Sequence, residues 1–221
     1  MKSRQWLLIA AGAIVIVAGA IFYFLNQSDT PALSGTASTG ASTVSTTDLM
    51  VAGPLGDKAL GDPKAPNVVI EYASMTCSHC ARFENTVFAP FKAKYIDTGK
   101  VYYIFREFPL DPLAKSASAL ARCAPADSYF PIVELLFEKQ NDWAFVQDPL
   151  TALRTLMKQV GFGQDAFDAC LKDPKIVAGL DEVRQRASDK FGVTATPTFF
   201  FNGKREEGEQ TLAQIDKLLG G

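Results

Sequence analysis

The stretch Met75-Thr-Cys-Ser-His-Cys-Ala-Arg-Phe83 holds two thiols, Cys77 and Cys80, with the chain's single histidine, His79, between them. Three chemistries fit thiols at that spacing: a bound metal, a structural bridge, or a disulfide that is made and broken. Zinc wants four ligands, usually as two close pairs. The other two cysteines, Cys123 and Cys170, stand far apart, and there is no second histidine. A soft ion such as Cu(I) needs fewer ligands and remains an alternative. A bridge across so short a loop removes little entropy from the unfolded chain and is a poor staple. Redox chemistry fits best, because the pair falls where an apolar strand should give way to a helix. Unpaired N–H groups and the helix dipole favour a thiolate there, and a protonated His79 would add positive charge. Both stabilise the reduced nucleophile Cys77 and make its disulfide more oxidising. Cys80, one turn further in, reads as the resolving thiol. Alone, His79 would be an ordinary exposed residue at a helix start; between two cysteines it reads as a residue that tunes them.

The flanking pattern supplies the elements that must position these thiols. Asn67–Tyr72 is a short β-branched, apolar run that reads as a buried strand. A helix is expected from near Cys77 to Tyr95, with Phe83, Val87 and Phe91 on one face. Thr98-Gly99-Lys100 marks a turn, and Val101–Phe105 reads as a second strand, parallel to the first. After Pro109 and Pro112 comes helical spacing, which predicts four or five helices between residues 113 and 191. Thr198–Phe201 reads as a strand, Asn202-Gly203 as a tight turn and Lys204–Glu207 as the return strand. Thr211–Leu219 closes the chain as a helix. The order is that of an α/β sheet interrupted by an inserted helical subdomain.

The 221-residue chain, 48% hydrophobic and 21% charged with a net charge of −2, suits one globular domain with appendages. No basic patch points to nucleic acid, and no cofactor is called for. Leu7–Leu25 carries no charge and as a helix spans about 28 Å, close to a bilayer's hydrocarbon thickness. Lys2 and Arg4 precede it, so the expectation is an N-terminal transmembrane anchor (1–25) with the rest of the chain on the outer side. A cleaved signal peptide is the rival reading, but the run is long and no small-x-small site follows closely. Residues 26–50, rich in Ser, Thr, Ala and Gly, read as a flexible linker, leaving 51–221 as the folded domain. Cys123 and Cys170 fall in predicted helices of the insertion. Two readings stand for them: a second, bracing disulfide, or two separate buried thiols.

Residues 55–221 resemble the DsbA-like thiol:disulfide oxidoreductases, bacterial exported proteins of thioredoxin fold with a helical insertion. The resemblance rests on GDPKAPNVVIEYASMTCSHCARFE and on FGVTATPTFFFNGK. It implies a cis peptide at Thr196-Pro197 beside the cysteines, with the Thr196 backbone free to pair with a substrate peptide; without it, a trans proline at a strand start is the commoner fate. It also implies a buried acid under the CxxC motif, a role that falls to Glu71, whose other reading is an exposed carboxylate on a strand edge. Glu84 matches a further acid of the family and reads as a solvated helix residue that modulates Cys77. The best-known oxidase of the family carries Pro where this chain has Ser78, and Val where it has Thr196. Those departures leave open which way the disulfide runs. The expected activity is donation of the Cys77–Cys80 disulfide to exported proteins with cysteines. Reoxidation would come from a quinone-linked, DsbB-like membrane partner, at the periplasmic face of a bacterial inner membrane or, if residues 1–25 are cut, free in the periplasm. The alternatives are a reductase or isomerase kept reduced by a membrane electron donor, a Cu(I)-binding protein, or a chaperone.

Overall fold

A computed structural model describes residues 43–220. The apolar run 7–25 and linker residues 26–42 lie outside the described residues. Among those described, no helix is long and apolar enough to cross a membrane.

Five strands form one sheet, β1 (Lys58–Leu60), β2 (Asn67–Ala73), β3 (Val101–Glu107), β4 (Thr198–Phe201) and β5 (Lys204–Glu207), in the order β1-β3-β2-β4-β5. β2 and β3 run parallel, as their crossover helix requires, and the other pairings are antiparallel. β2 is central, so alternate residues enter two cores. Val69 and Ala73 join Phe83, Tyr103, Phe199 and Phe201 on one face. Ile70 and Tyr72 join Ile104, Phe200, Phe191 and Val183 on the other. Coverage of both faces explains the unbroken apolar run Thr198-Phe-Phe-Phe201, which is buried throughout. The strands, the Asn202-Gly203 turn and the final helix Leu212–Leu219 fall where the sequence places them. β1, three residues without apolar alternation, has no signal in the sequence; it is recruited by antiparallel pairing with β3.

The linker boundary at residue 50 moves. α1 (Thr46–Leu49) packs Leu49, 1% exposed, among the second core's side chains. Val44 N donates to Gly203 O at 2.8 Å, and Arg186 donates to the carbonyls of Asp48 and Val51, each at 2.7 Å. The Ser/Thr-rich composition hid this, because one leucine and backbone hydrogen bonds hold the segment. Gly203 is doubly required: its φ is +89°, and a Cβ there would lie 2.5 Å from Val44 O.

The helix after the thiols also differs in phase. α2 (Ser78–Phe83) continues through a π-helical turn (Glu84–Phe88), α3 (Ala89–Phe91) and a second π-turn (Lys92–Ile96). Pro90 lies in this stretch with no amide hydrogen to give an i→i−4 bond. The π-turn inserts an extra residue per turn, so Phe88 rather than Val87 takes the core position between Phe83 and Phe91.

The insertion holds six α-helices rather than four or five. They are α4 (Pro112–Cys123), α5 (Tyr129–Glu138), α6 (Gln140–Trp143), α7 (Pro149–Gln159), α8 (Gln164–Leu171) and α9 (Pro174–Phe191). Short helices such as α6 are below the length that periodicity resolves. α4, α7 and α9 begin alike: Asp111, Asp148 and Asp173 cap backbone N–H groups, and a proline fills the first helical position. Cys123 and Cys170 are joined, tying α4 to α8 with Cα atoms 6.1 Å apart. Beside this bridge Arg122 forms a bidentate pair with fully buried Glu107, at 2.5 and 2.7 Å. Tyr129 donates to the same carboxylate at 2.6 Å, so sheet and insertion share one satisfied polar network.

Candidate active site

Cys77 is the N-cap of α2, where its Sγ accepts from the Cys80 amide at 3.4 Å. It is 9% exposed, while Cys80, inside the first turn, is 1% exposed; both are free thiols. Across from them the Thr196–Pro197 peptide is cis, and the Cys77 thiol lies 3.2 Å from Thr196 O. The two halves of the site, far apart in sequence, thus meet at one sulfur.

The surroundings split the two thiols. A hydrogen bond from the Cys80 thiol does most to hold Cys77 as a thiolate; burial opposes it, and the Thr196 side chain and the backbone amides of Cys80 and His79 add to it. The result is a Cys77 pKa lowered to about 5. The Thr196 hydroxyl is buried with no other partner and is a donor the thiolate can use. Cys80 goes the other way, its pKa pushed up by burial first and then by Cys77 and Glu71. A nucleophile beside a reluctant, buried partner is the division of labour that thiol–disulfide exchange needs.

Glu71 lies beneath the pair. It is 1% exposed because β2 is paired on both sides, and the strand-edge reading does not hold. Burial raises its pKa to about 8, against a hydrogen bond from Tyr103, whose hydroxyl donates to Oε2 at 2.7 Å. A carboxyl that titrates there can exchange a proton with the resolving thiol. Glu84 corrects another expectation: it is half-buried, not solvated, and burial together with Glu71 and Glu134 raises its pKa well above normal. Its charge is coupled to Glu71 rather than to Cys77.

His79 is placed differently from its sequence reading. Its side chain is 60% exposed and turned towards Glu209, with Nδ1 3.6 Å from Oε2. What it supplies to Cys77 is its backbone N–H. Sequence reading missed Tyr103, Gln140, Glu209 and the Thr76–Asp111 contact, in which the Thr76 hydroxyl donates at 2.5 Å. Thr76 adjoins the CxxC motif but carries no signal of its own, and Tyr103, Asp111, Gln140 and Glu209 lie outside it and are brought in by the fold. Gln140 is the clearest case: from α6, its Nε2 donates to the carbonyls of Met75 and Cys77 at 2.9 and 3.0 Å.

Residues 55–220 match the family model described as thioredoxin. The crystal structure of Wolbachia pipientis α-DsbA1 superposes with a TM-score of 0.71 at 39% identity, covering 80% of this chain and 96% of that one. The chain belongs to the DsbA-like thiol:disulfide oxidoreductases. A Rickettsia prowazekii protein provisionally named a protein-disulfide oxidoreductase is 33% identical over 167 residues. That match takes in 74% of this chain and 61% of the relative, so the chain spans about three fifths of the length of the curated relative. A protein-disulfide isomerase from Novosphingobium aromaticivorans, at 21% identity and a TM-score of 0.66 over 76% of this chain and 96% of that one, shares the fold. A DsbA-like chain therefore carries Ser78 inside its CxxC motif and Thr196 before its cis-proline.

Proposed function

We propose that this protein donates the Cys77–Cys80 disulfide to cysteine-bearing exported proteins. A substrate thiolate attacks Cys77 Sγ, forming a mixed disulfide and releasing the Cys80 sulfur, which takes a proton from Glu71. A second substrate thiolate then attacks the substrate sulfur of that mixed disulfide and frees Cys77 as a thiolate. Two electrons pass from substrate to protein, the substrate leaves oxidised, and the dithiol is reoxidised by a quinone-linked membrane partner of DsbB type. The Thr196 backbone offers the substrate strand its pairing partner next to Cys77.

The depressed pKa of Cys77, about 5, carries this direction: stabilising the thiolate stabilises the reduced protein and makes the disulfide a stronger oxidant. Separate observations support a location. The charge-free run 7–25 behind Lys2 and Arg4 suits a cytoplasmic-side start, and a bridged Cys123–Cys170 suits an oxidising compartment. The reading is therefore a domain on the periplasmic face of an inner membrane.

The test is the reduction potential of the Cys77–Cys80 pair in the full chain, equilibrated in glutathione buffers with Cys123 and Cys170 scored apart. A value well above the glutathione couple is expected. A value near that of thioredoxin, about −270 mV, would make the protein one that is kept reduced and would replace donation by reduction or isomerisation. In cells, Cys80→Ser should accumulate mixed disulfides through Cys77.

A further inference from the structure

Glu209 lies on the turn between β5 and the last helix, remote in sequence from the thiols, yet its carboxylate meets the active-site helix. Oε2 lies 3.6 Å from His79 Nδ1 and 3.4 Å from Arg82 Nε. The turn is fixed. Gly208 N donates to Pro197 O at 2.8 Å, and Gln210, 5% exposed, turns its Nε2 back to Gly208 O at 3.1 Å. Glu209 is therefore anchored to the cis-proline on one side and charge-paired with α2 on the other. His79 and Arg82 lie three residues apart on one face of the helix. Both are within five residues of Cys77, or about 8 Å along the axis at ~1.5 Å per residue, which is no more than one Debye length at physiological salt.

We propose that Glu209 is a positioning residue that restrains the oxidising power of the Cys77–Cys80 pair by occupying the cationic side chains of its helix. The field of the Arg82 guanidinium alone would favour a thiolate at the helix start. The Glu209 carboxylate cancels much of that field and draws the imidazole of His79 to itself. Cys77 is left to its hydrogen-bond donors, Cys80, Thr196 and the helix amides. Two further acids lie near the thiols: Glu71 from β2, and Asp111, which Thr76 holds beside Cys77. Because the contacts of Glu209 are partly exposed, its effect is modest.

The decisive variant is Glu209→Gln in the full chain, which removes the charge and keeps the shape. Thiolate absorbance against pH and the glutathione equilibrium are read beside the melting temperature. The pH series is repeated with Glu71→Gln, so that the buried acid does not titrate in the same range. The expected result is a lower Cys77 midpoint and an equilibrium shifted about two- to fivefold towards the reduced protein. Arg82→Gln should shift both readouts the other way, and Glu209→Asp should restore the parent values. A purely structural role would move the melting temperature alone. Unchanged thiol readouts, or a shift towards a weaker oxidant, would overturn the proposal. The comparison is between variant and parent, so it stands or fails separately from the absolute potential that decides the direction of exchange.

Discussion

At the residue scale, burial decides what Glu71 can do. A carboxyl with a folded pKa near 8 and an unfolded value of about 4.3 supports folding fully below the unfolded value and loses that support as pH rises through the folded one. Glu71→Gln removes a group that must ionise at a cost in the core. Urea unfolding of the oxidised protein, in which Cys77 carries no charge, should show the variant matching the parent near pH 4. Above pH 8 it should be the more stable, by a margin on the order of a few kcal/mol. Tyr103→Phe should act in the opposite sense, because it deletes the hydroxyl that favours the charged form: the Glu71 midpoint should rise, so the loss of stability should extend to higher pH and be larger in total.

At the element scale, the insertion is part of the active site. α6 has four residues, yet its Gln140, 4% exposed, satisfies two carbonyls of the loop that ends in Cys77. Gln140→Leu keeps the bulk and orphans the Met75 carbonyl, while the Cys77 carbonyl keeps only the Ala81 N–H. The expected loss is about 1–3 kcal/mol, read by denaturant unfolding, together with faster amide exchange at Thr76–Cys80. The π-turns make the same point about phase. The period that picked out Phe83 and Phe91 was right at both ends, but one extra residue per turn in between puts Phe88 into the core.

At the scale of the whole molecule, the sheet supplies both halves of the site and the insertion is pinned to it by Glu107, Arg122 and Tyr129. The Cys123–Cys170 bridge closes a loop with a sequence separation of 47. In the chain-entropy account, a loop of that size is worth about 4 kcal/mol. Cys123→Ser with Cys170→Ser should therefore lower the urea midpoint by an amount equal to about 2–4 kcal/mol. A loss below about 1 kcal/mol would mean that the buried ion pair and the apolar contacts already hold α4 and α8 together.

Much of this was legible in the sequence, for local reasons. Cys77-Ser-His-Cys80 after an apolar strand, Asn202-Gly203 between two short runs and proline at helix starts are signals carried by neighbouring residues. They determined the α/β order, the helical insertion and the candidate redox pair. Tertiary structure alone decided three things. It buried Glu71 by pairing β2 on both sides, it joined Cys123 to Cys170, and it brought Thr196 and Gln140 to Cys77 and Glu209 to the helix that follows it. Burial and long-range contact are properties of packing between elements. A strand's alternation shows that Glu71 and its neighbours take turns between two faces, but only the strands and helices laid over those faces determine that the carboxyl is dry.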